Sequence, residues 1–172
     1  MTTARTRPTI AAESTSDPLQ LIDVDHVRFY VGNAKQAAHF YASTFGFQVS
    51  QIADLTTGSR DAAHYLLTQG NIRFVLTTGL TDDHPASRHV MKYGDSVKDV
   101  AFNVFDAATA YERAVKNGGE PAYEPTEISD ERGTILAAGI KTYGEVVHSF
   151  VSRPRSGEYS LPKVKLGGAF MP

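Results

Sequence analysis

Residues 26–46, HVRFYVGNAKQAAHFYASTFG, and residues 99–119, DVAFNVFDAATAYERAVKNGG, carry one pattern twice without a gap, position 99 standing on position 26 at an offset of 73. Each copy opens with strand-like alternation. Val27, Phe29 and Val31 share one face in the first, and Val100, Phe102 and Val104 share it in the second. Asn33 and its counterpart Asp106 then stand where a helix N-cap is wanted, because their side chains can accept a free backbone N–H of the first turn. The helical stripes that follow are Ala37, Phe40, Tyr41, Thr44 and Phe45 in one copy and Ala107, Ala110, Tyr111, Ala114 and Val115 in the other. Gly46 and Gly118-Gly119 end them.

Three further strands follow each helix: 47–52, 62–68 and 71–78 in the first half, 121–127, 133–140 and 144–152 in the second. Turn-forming clusters such as TTGSRD separate them. The halves are therefore two βαβββ modules, joined by DDHPASRHVMKYGD as a short connecting helix. Neither module closes a core alone, and a pair of them leaves a concave sheet surface between. The expected fold class is α+β, one cupped, partly open mixed β-sheet barrel with helices outside. Residues 1–20 are expected to be a disordered arm and 21–153 the domain. Its modules span about 22–80 and 97–153 and its connecting helix about 84–94, leaving 154–172 as a linker or tail.

With 17 Lys and Arg scattered among 19 Asp and Glu, the 172-residue chain has no basic stripe to neutralise a phosphate backbone, which argues against nucleic acid. No cysteine is present, so disulfides, thiolate metal sites and a cysteine nucleophile are excluded. No stretch approaches the roughly 20 apolar residues of a membrane span. A cytoplasmic location is expected.

Residues opposite the helix-packed face should line the cup: His26, Arg28 and Tyr30 in one half, Asp99, Ala101 and Asn103 in the other. Carrying the offset of 73 into the last strands pairs Val75 with His148, so the four equivalent posts are His26, Val75, Asp99 and His148. Two histidines and a carboxylate are the ligand inventory of a non-haem Fe(II) site with open positions. The same residues also suit a polar barrel wall, with Arg28 or Lys98 pairing Asp99, and the residues alone leave both readings open. His39, His84 and His89 are expected at the surface, and His64 in the cup or in a subunit contact.

The motifs VGNAKQAAHFY, TGSRD, RFVLTTGL, KYGDSVKDVAFNV and TYGEVVHSFV occur in this order over about residues 22–162. In them the chain resembles the amino-terminal half of the 4-hydroxyphenylpyruvate dioxygenases, within the vicinal-oxygen-chelate superfamily of glyoxalases, bleomycin-resistance proteins and dioxygenases. Hydroxymandelate synthase shares that architecture. The resemblance implies an oligomeric enzyme of tyrosine breakdown that converts 4-hydroxyphenylpyruvate and O2 into homogentisate and CO2. It places the Fe(II), held by two histidines and a glutamate, in a carboxy-terminal domain that this sequence does not contain, so no catalytic, cofactor or metal residue carries over to this chain. The expected partners are that domain, other copies of the chain and, for the full enzyme, an aromatic α-keto acid and O2. Where the family has a glycine after Leu-Pro, near the linker, this chain has Lys163. Competing readings are a standalone small-molecule binder of the bleomycin-resistance type and a single-domain metalloenzyme using His26, Asp99 and His148.

Overall fold

The computed structural model describes residues 17–130 and 133–153. Of the expected arm over residues 1–20, residues 1–16 lie outside them, as does the expected tail over 154–172. The first module runs β1 (Leu21–Tyr30), α1 (Ala34–Phe45), β2 (Gln48–Ala53), a single 3₁₀ turn at Leu55–Thr57, β3 (Ala62–Gln69) and β4 (Ile72–Gly79). After α2 (Pro85–Tyr93), the second runs β5 (Ser96–Val104), α3 (Ala107–Lys116), β6 (Glu120–Asp130), β7 (Gly133–Lys141) and β8 (Val147–Ser152). All eight strands form one open sheet in the order β2-β3-β4-β1-β5-β8-β7-β6. The modules meet where β1 pairs antiparallel with β5, and each first strand pairs parallel with the last strand of its own module.

The helices form where the repeat places them. Asn33 accepts the N–H of Gln36 at 3.0 Å and Asp106 that of Thr109 at 2.7 Å, so the two caps are structural counterparts. α1 buries Ala34 and Ala38 against Val31, Phe47, Leu67 and Leu76, with Phe29, Tyr41 and Phe74 packed alongside. The expected stripe is rotated: Phe40, Thr44 and Phe45 are exposed, because the helix meets the sheet through small residues and Tyr41. α3 packs as expected through Ala107, Ala110 and Ala114 against Val104 and Phe150.

α2 closes one end of the concave face. His84 caps it, its Nδ1 accepting the N–H of Ala86 at 3.1 Å, and Pro85 sits at the first turn, where its missing N–H costs no hydrogen bond. His89 packs edge-on against the Tyr30 ring at 5.3 Å, with its Nε2 2.8 Å from Ser96 Oγ. His84 and His89 are thus buried, contrary to the surface positions expected of them, while His39 is exposed. No helix among the described residues is long and apolar enough to cross a membrane.

Replacing Asp106 by Ala removes both the cap acceptor and a negative charge at the positive end of α3. A loss of about 1 kcal/mol in unfolding free energy is expected, read from the urea midpoint, and a similar loss for Asn33→Ala.

Candidate functional site

The concave face is built around an irregularity in β1. Its pairing with β5 slips between Val24 and His26, a β-bulge that turns both Asp25 and His26 into the interior. The Asp25 carboxylate is met by a fork from Arg153, Nε to Oδ2 at 2.8 Å and Nη2 to Oδ1 at 3.0 Å, and lies 2.7 Å from His26 Nδ1. Burial alone would raise the Asp25 pKa, but the hydrogen bonds and charges of His26 and Arg153 outweigh it and hold the carboxyl well below the usual range. Asp25 is therefore ionised, and the proton on the His26 ring lies on Nδ1. His26 Nε2 is buried and has no hydrogen-bond partner among the described residues.

Further along the same face Arg28 stands opposite Asp99 across the β1–β5 pair, both buried. Asp99 accepts the N–H of Ser149 at 3.1 Å and its hydroxyl at 2.6 Å, and the Tyr123 hydroxyl donates in turn to Ser149 Oγ at 2.6 Å. The Tyr123 ring lies over Gly139, where an added Cβ would collide with it. Beside this chain, Ala101, Ile128, Ile135, Ala137 and Val151 fill the second module's half of the cup with apolar side chains. The first module's half is more polar. There Tyr30, Thr77 and His64 form a row, with His64 Nδ1 3.0 Å from Thr77 Oγ1. Burial, with smaller contributions from Arg28 and His84, pushes the His64 pKa down to about 3, so the ring is neutral at physiological pH. Its Nε2 is a second buried nitrogen without a partner among the described residues. Burial likewise raises the Tyr30 hydroxyl to about 12.

The structure corrects the fourth post. β1 pairs with β4 as Arg28 with Val75, whereas β5 pairs with β8 as Asp99 with Val147 and Phe102 with Phe150. The counterpart of Val75 is therefore Ser149, one residue beyond the offset of 73. His148 faces the helix-packed side instead, its ring 5.2 Å from Phe102 and its Nδ1 3.3 Å from the Val100 carbonyl. The cause is the connection: β7 and β8 are joined by residues 142–146, β3 and β4 only by 70–71, and a one-residue slip inverts every side chain of a strand. His26, Asp99 and His148 do not share a face. Among the described residues no three His, Asp or Glu side chains converge as metal ligands. A non-haem Fe(II) does not fit the concave set of His26, Val75, Asp99 and Ser149, which offers one imidazole, one carboxylate already bound to Ser149 and an aliphatic side chain.

Asp25, His64, Tyr123 and Ser149 are the members of this face that the repeat did not single out as posts. Strand alternation allowed His64 and excluded Asp25, because the bulge is not visible in local periodicity. Lys98, a candidate partner of Asp99, donates instead to the Glu145 carbonyl at 2.5 Å.

Arg153→Met should lower the unfolding free energy by about 2–3 kcal/mol, below the cost for a fully enclosed pair because Arg153 is 16% exposed. Two acid windows should separate. The folded pKa of His64 lies below its ordinary 6.5, so the stability conferred by the neutral ring is complete above pH 6.5 and is lost as pH falls toward 3. Asp25 is depressed below 3.8, so its contribution is complete above that pH and is lost only on further acidification. His64→Gln should flatten the first slope and Asp25→Asn the second, measured by urea unfolding across pH.

The 4-hydroxyphenylpyruvate dioxygenase of Dictyostelium discoideum is 44% identical over 140 residues, which are 80% of this chain and 38% of that protein. Across the similar curated dioxygenases the chain spans 36 to 42% of their length, well under half. Among solved structures, a mutant of 4-hydroxymandelate synthase from Streptomyces coelicolor superposes with a TM-score of 0.72 at 28% identity, over 77% of this chain and 39% of that one. Methylmalonyl-CoA epimerase from Mycobacterium tuberculosis shares the fold, with a TM-score of 0.64 at 18% identity over 78% of this chain and 90% of that one. Residues 23–142 match the Glyoxalase/Bleomycin resistance protein/Dioxygenase superfamily, and the chain belongs to that superfamily.

Proposed function

We propose that this chain is the amino-terminal, architectural part of a 4-hydroxyphenylpyruvate dioxygenase, converting 4-hydroxyphenylpyruvate and O2 to homogentisate and CO2 in tyrosine breakdown in the cytoplasm. The observation that carries the reading is a pairing of opposites. Similarity to these dioxygenases runs through four-fifths of the chain, yet of the four concave posts Val75 is aliphatic and Asp99 and Ser149 satisfy each other, leaving His26 as the one imidazole. In this reading the Fe(II), the α-keto acid and O2 belong to polypeptide outside these residues. Such polypeptide would also select homogentisate or hydroxymandelate as product, and docking to it makes this chain a scaffold. The chain's own chemistry is structural: Asp25 and Asp99 each accept hydrogen bonds from internal donors, and the second module's half of the cup is packed with apolar side chains.

A second reading rests on two ring nitrogens of the concave face that have no hydrogen-bond partner among the described residues. His26 Nε2 and His64 Nε2 are each buried on the concave face, where a hydrogen-bonding small molecule would satisfy them. In that case the chain is a metal-free binder of the bleomycin-resistance type. The fold suits a one-domain protein, since the epimerase is matched over 90% of its chain.

Purified chain supplied with Fe(II), ascorbate and 4-hydroxyphenylpyruvate should form no homogentisate and should retain no stoichiometric iron after dialysis. Turnover under these conditions would overturn the architectural reading. Saturable calorimetric binding of an aromatic α-keto acid without turnover, weakened in His26→Phe, would favour the second.

A further inference from the structure

Beyond the end of the cup, three elements bring a serine, a histidine and a carboxylate into line. Ser96 opens β5, and its Oγ lies 2.8 Å from Nε2 of His89 on α2. On the other side of the ring, Nδ1 faces Oε2 of Glu145, in the β7–β8 connection, at 3.6 Å. Proton positions follow from the distances. The other acceptor for the Ser96 hydroxyl, the Gly94 carbonyl, is 3.5 Å away, at the limit of a hydrogen bond, so the hydroxyl proton points to Nε2. The ring proton then sits on Nδ1, which is buried and has no hydrogen-bond partner among the described residues. Lys92 Nζ and the Tyr93 hydroxyl both donate to Glu145 Oε1 at 2.9 Å, which leaves Oε2 toward His89. Those donors hold the Glu145 carboxyl down at about 2, so it is ionised. Burial and the charge of Lys98, opposed by Glu145, keep the His89 ring below its ordinary 6.5 and therefore neutral at pH 7.

We propose that Ser96, His89 and Glu145 act as nucleophile, general base and orienting acid, giving this chain a second activity, the hydrolysis of small uncharged aryl esters. A nucleophile within reach of a base that a third group can orient is the arrangement acyl transfer requires, and such contacts are looser before substrate binds. Ser96 Oγ bonds to the ester carbonyl carbon while its proton passes to His89 Nε2. The carbon–oxygen bond to the phenol then breaks, and His89 returns the proton to the leaving oxygen. Water, deprotonated by the same nitrogen, cleaves the acyl–serine bond, releases the acid and restores the Ser96 hydroxyl. Lys98, the extra residue of a further β1–β5 bulge, brings a cation two positions from Ser96, where the carbonyl oxygen gains negative charge. An aryl ester fits because a phenol leaves easily, which suits a site whose His89–Glu145 contact is loose. The exposed rings of Tyr93 and Tyr143, the latter two residues before Glu145, also offer flat apolar surface beside the half-buried Ser96. The proposal stands apart from the dioxygenase reading, since it lies outside the cup and ester hydrolysis is measured without iron or α-keto acid.

The 172-residue chain given p-nitrophenyl acetate should release p-nitrophenolate in an initial burst followed by steady turnover. Ser96→Ala and His89→Gln should each lower the rate about 100-fold, whereas a change of the exposed His39 to Gln should leave it intact. The groups facing the His89 ring are Tyr30 of β1, Lys92 and Tyr93 of α2, Lys98 of β5 and Glu145. The rate should therefore fall as pH drops through a midpoint below 6.5, and Glu145→Gln should move that midpoint lower, because the carboxylate favours the imidazolium. A fluorophosphonate on the unsubstituted chain gives a readout that no misfolded variant can confound: one adduct, mapped to Ser96 by peptide mass spectrometry. No adduct on Ser96, or hydrolysis that persists in Ser96→Ala, overturns the proposal.

Discussion

The antiparallel pairing of β1 with β5 is the contact on which the rest of the molecule depends. It is the seam between two modules of four strands each, and it makes their two sheets one. Along it Arg28 lies opposite Asp99, both buried, so the charge of one half is brought into the field of the other. Burying charge is costly unless it is matched by partners and hydrogen bonds. The seam meets that cost by drawing Ser149 and Tyr123 onto Asp99, and the bulge beside it does the same for Asp25 with His26 and Arg153. Both carboxylates are held by partners distant in sequence, which ties β1, β5, β6 and β8 into one polar framework.

That framework explains why the four concave posts do not offer the donor set of a non-haem iron site among the described residues. A carboxylate free to ligate would have to be released from Ser149, leaving the Tyr123–Ser149 chain without its acceptor. The second module's side of the cup is meanwhile filled by Ile128, Ile135 and Val151, so its interior serves packing. The first module's side keeps His26 and His64, each with one buried nitrogen that has no partner among the described residues. The asymmetry follows from sequence divergence within a shared geometry: the repeat preserves backbone and caps, while Arg28 has become Ala101 and Val75 has become Ser149 at equivalent positions.

Much of this was legible in the chain because it is governed by local rules. Alternation in β1 and β5 separated Val27, Phe29 and Val31 from His26, Arg28 and Tyr30, since strand periodicity is a property of the backbone itself. Asn33 and Asp106 marked both helix starts for the same reason. What local rules miss has a different origin. A constant offset puts His148 in the cup, but the connection before β8 is longer than its counterpart before β4. Strand alternation turns Asp25 outward, whereas a bulge is created by pairing with another strand. Helical periodicity identifies the apolar stripe of Phe40 and Phe45 without saying which part of it the sheet touches. His84 and His89 are buried by where α2 lies across the end of the cup, a matter of tertiary packing.

The sequence by itself therefore determined the element order, the duplication, the helix caps and the face on which most strand residues lie, because each follows from backbone geometry acting over a few residues. The tertiary structure alone decided that Ser149 and not His148 stands beside Asp99, that Asp25 turns inward, and that the carboxylates are satisfied within the protein. Register between strands far apart in the chain is set by connection length and long-range pairing, and a shift of a single residue reverses which side chains meet.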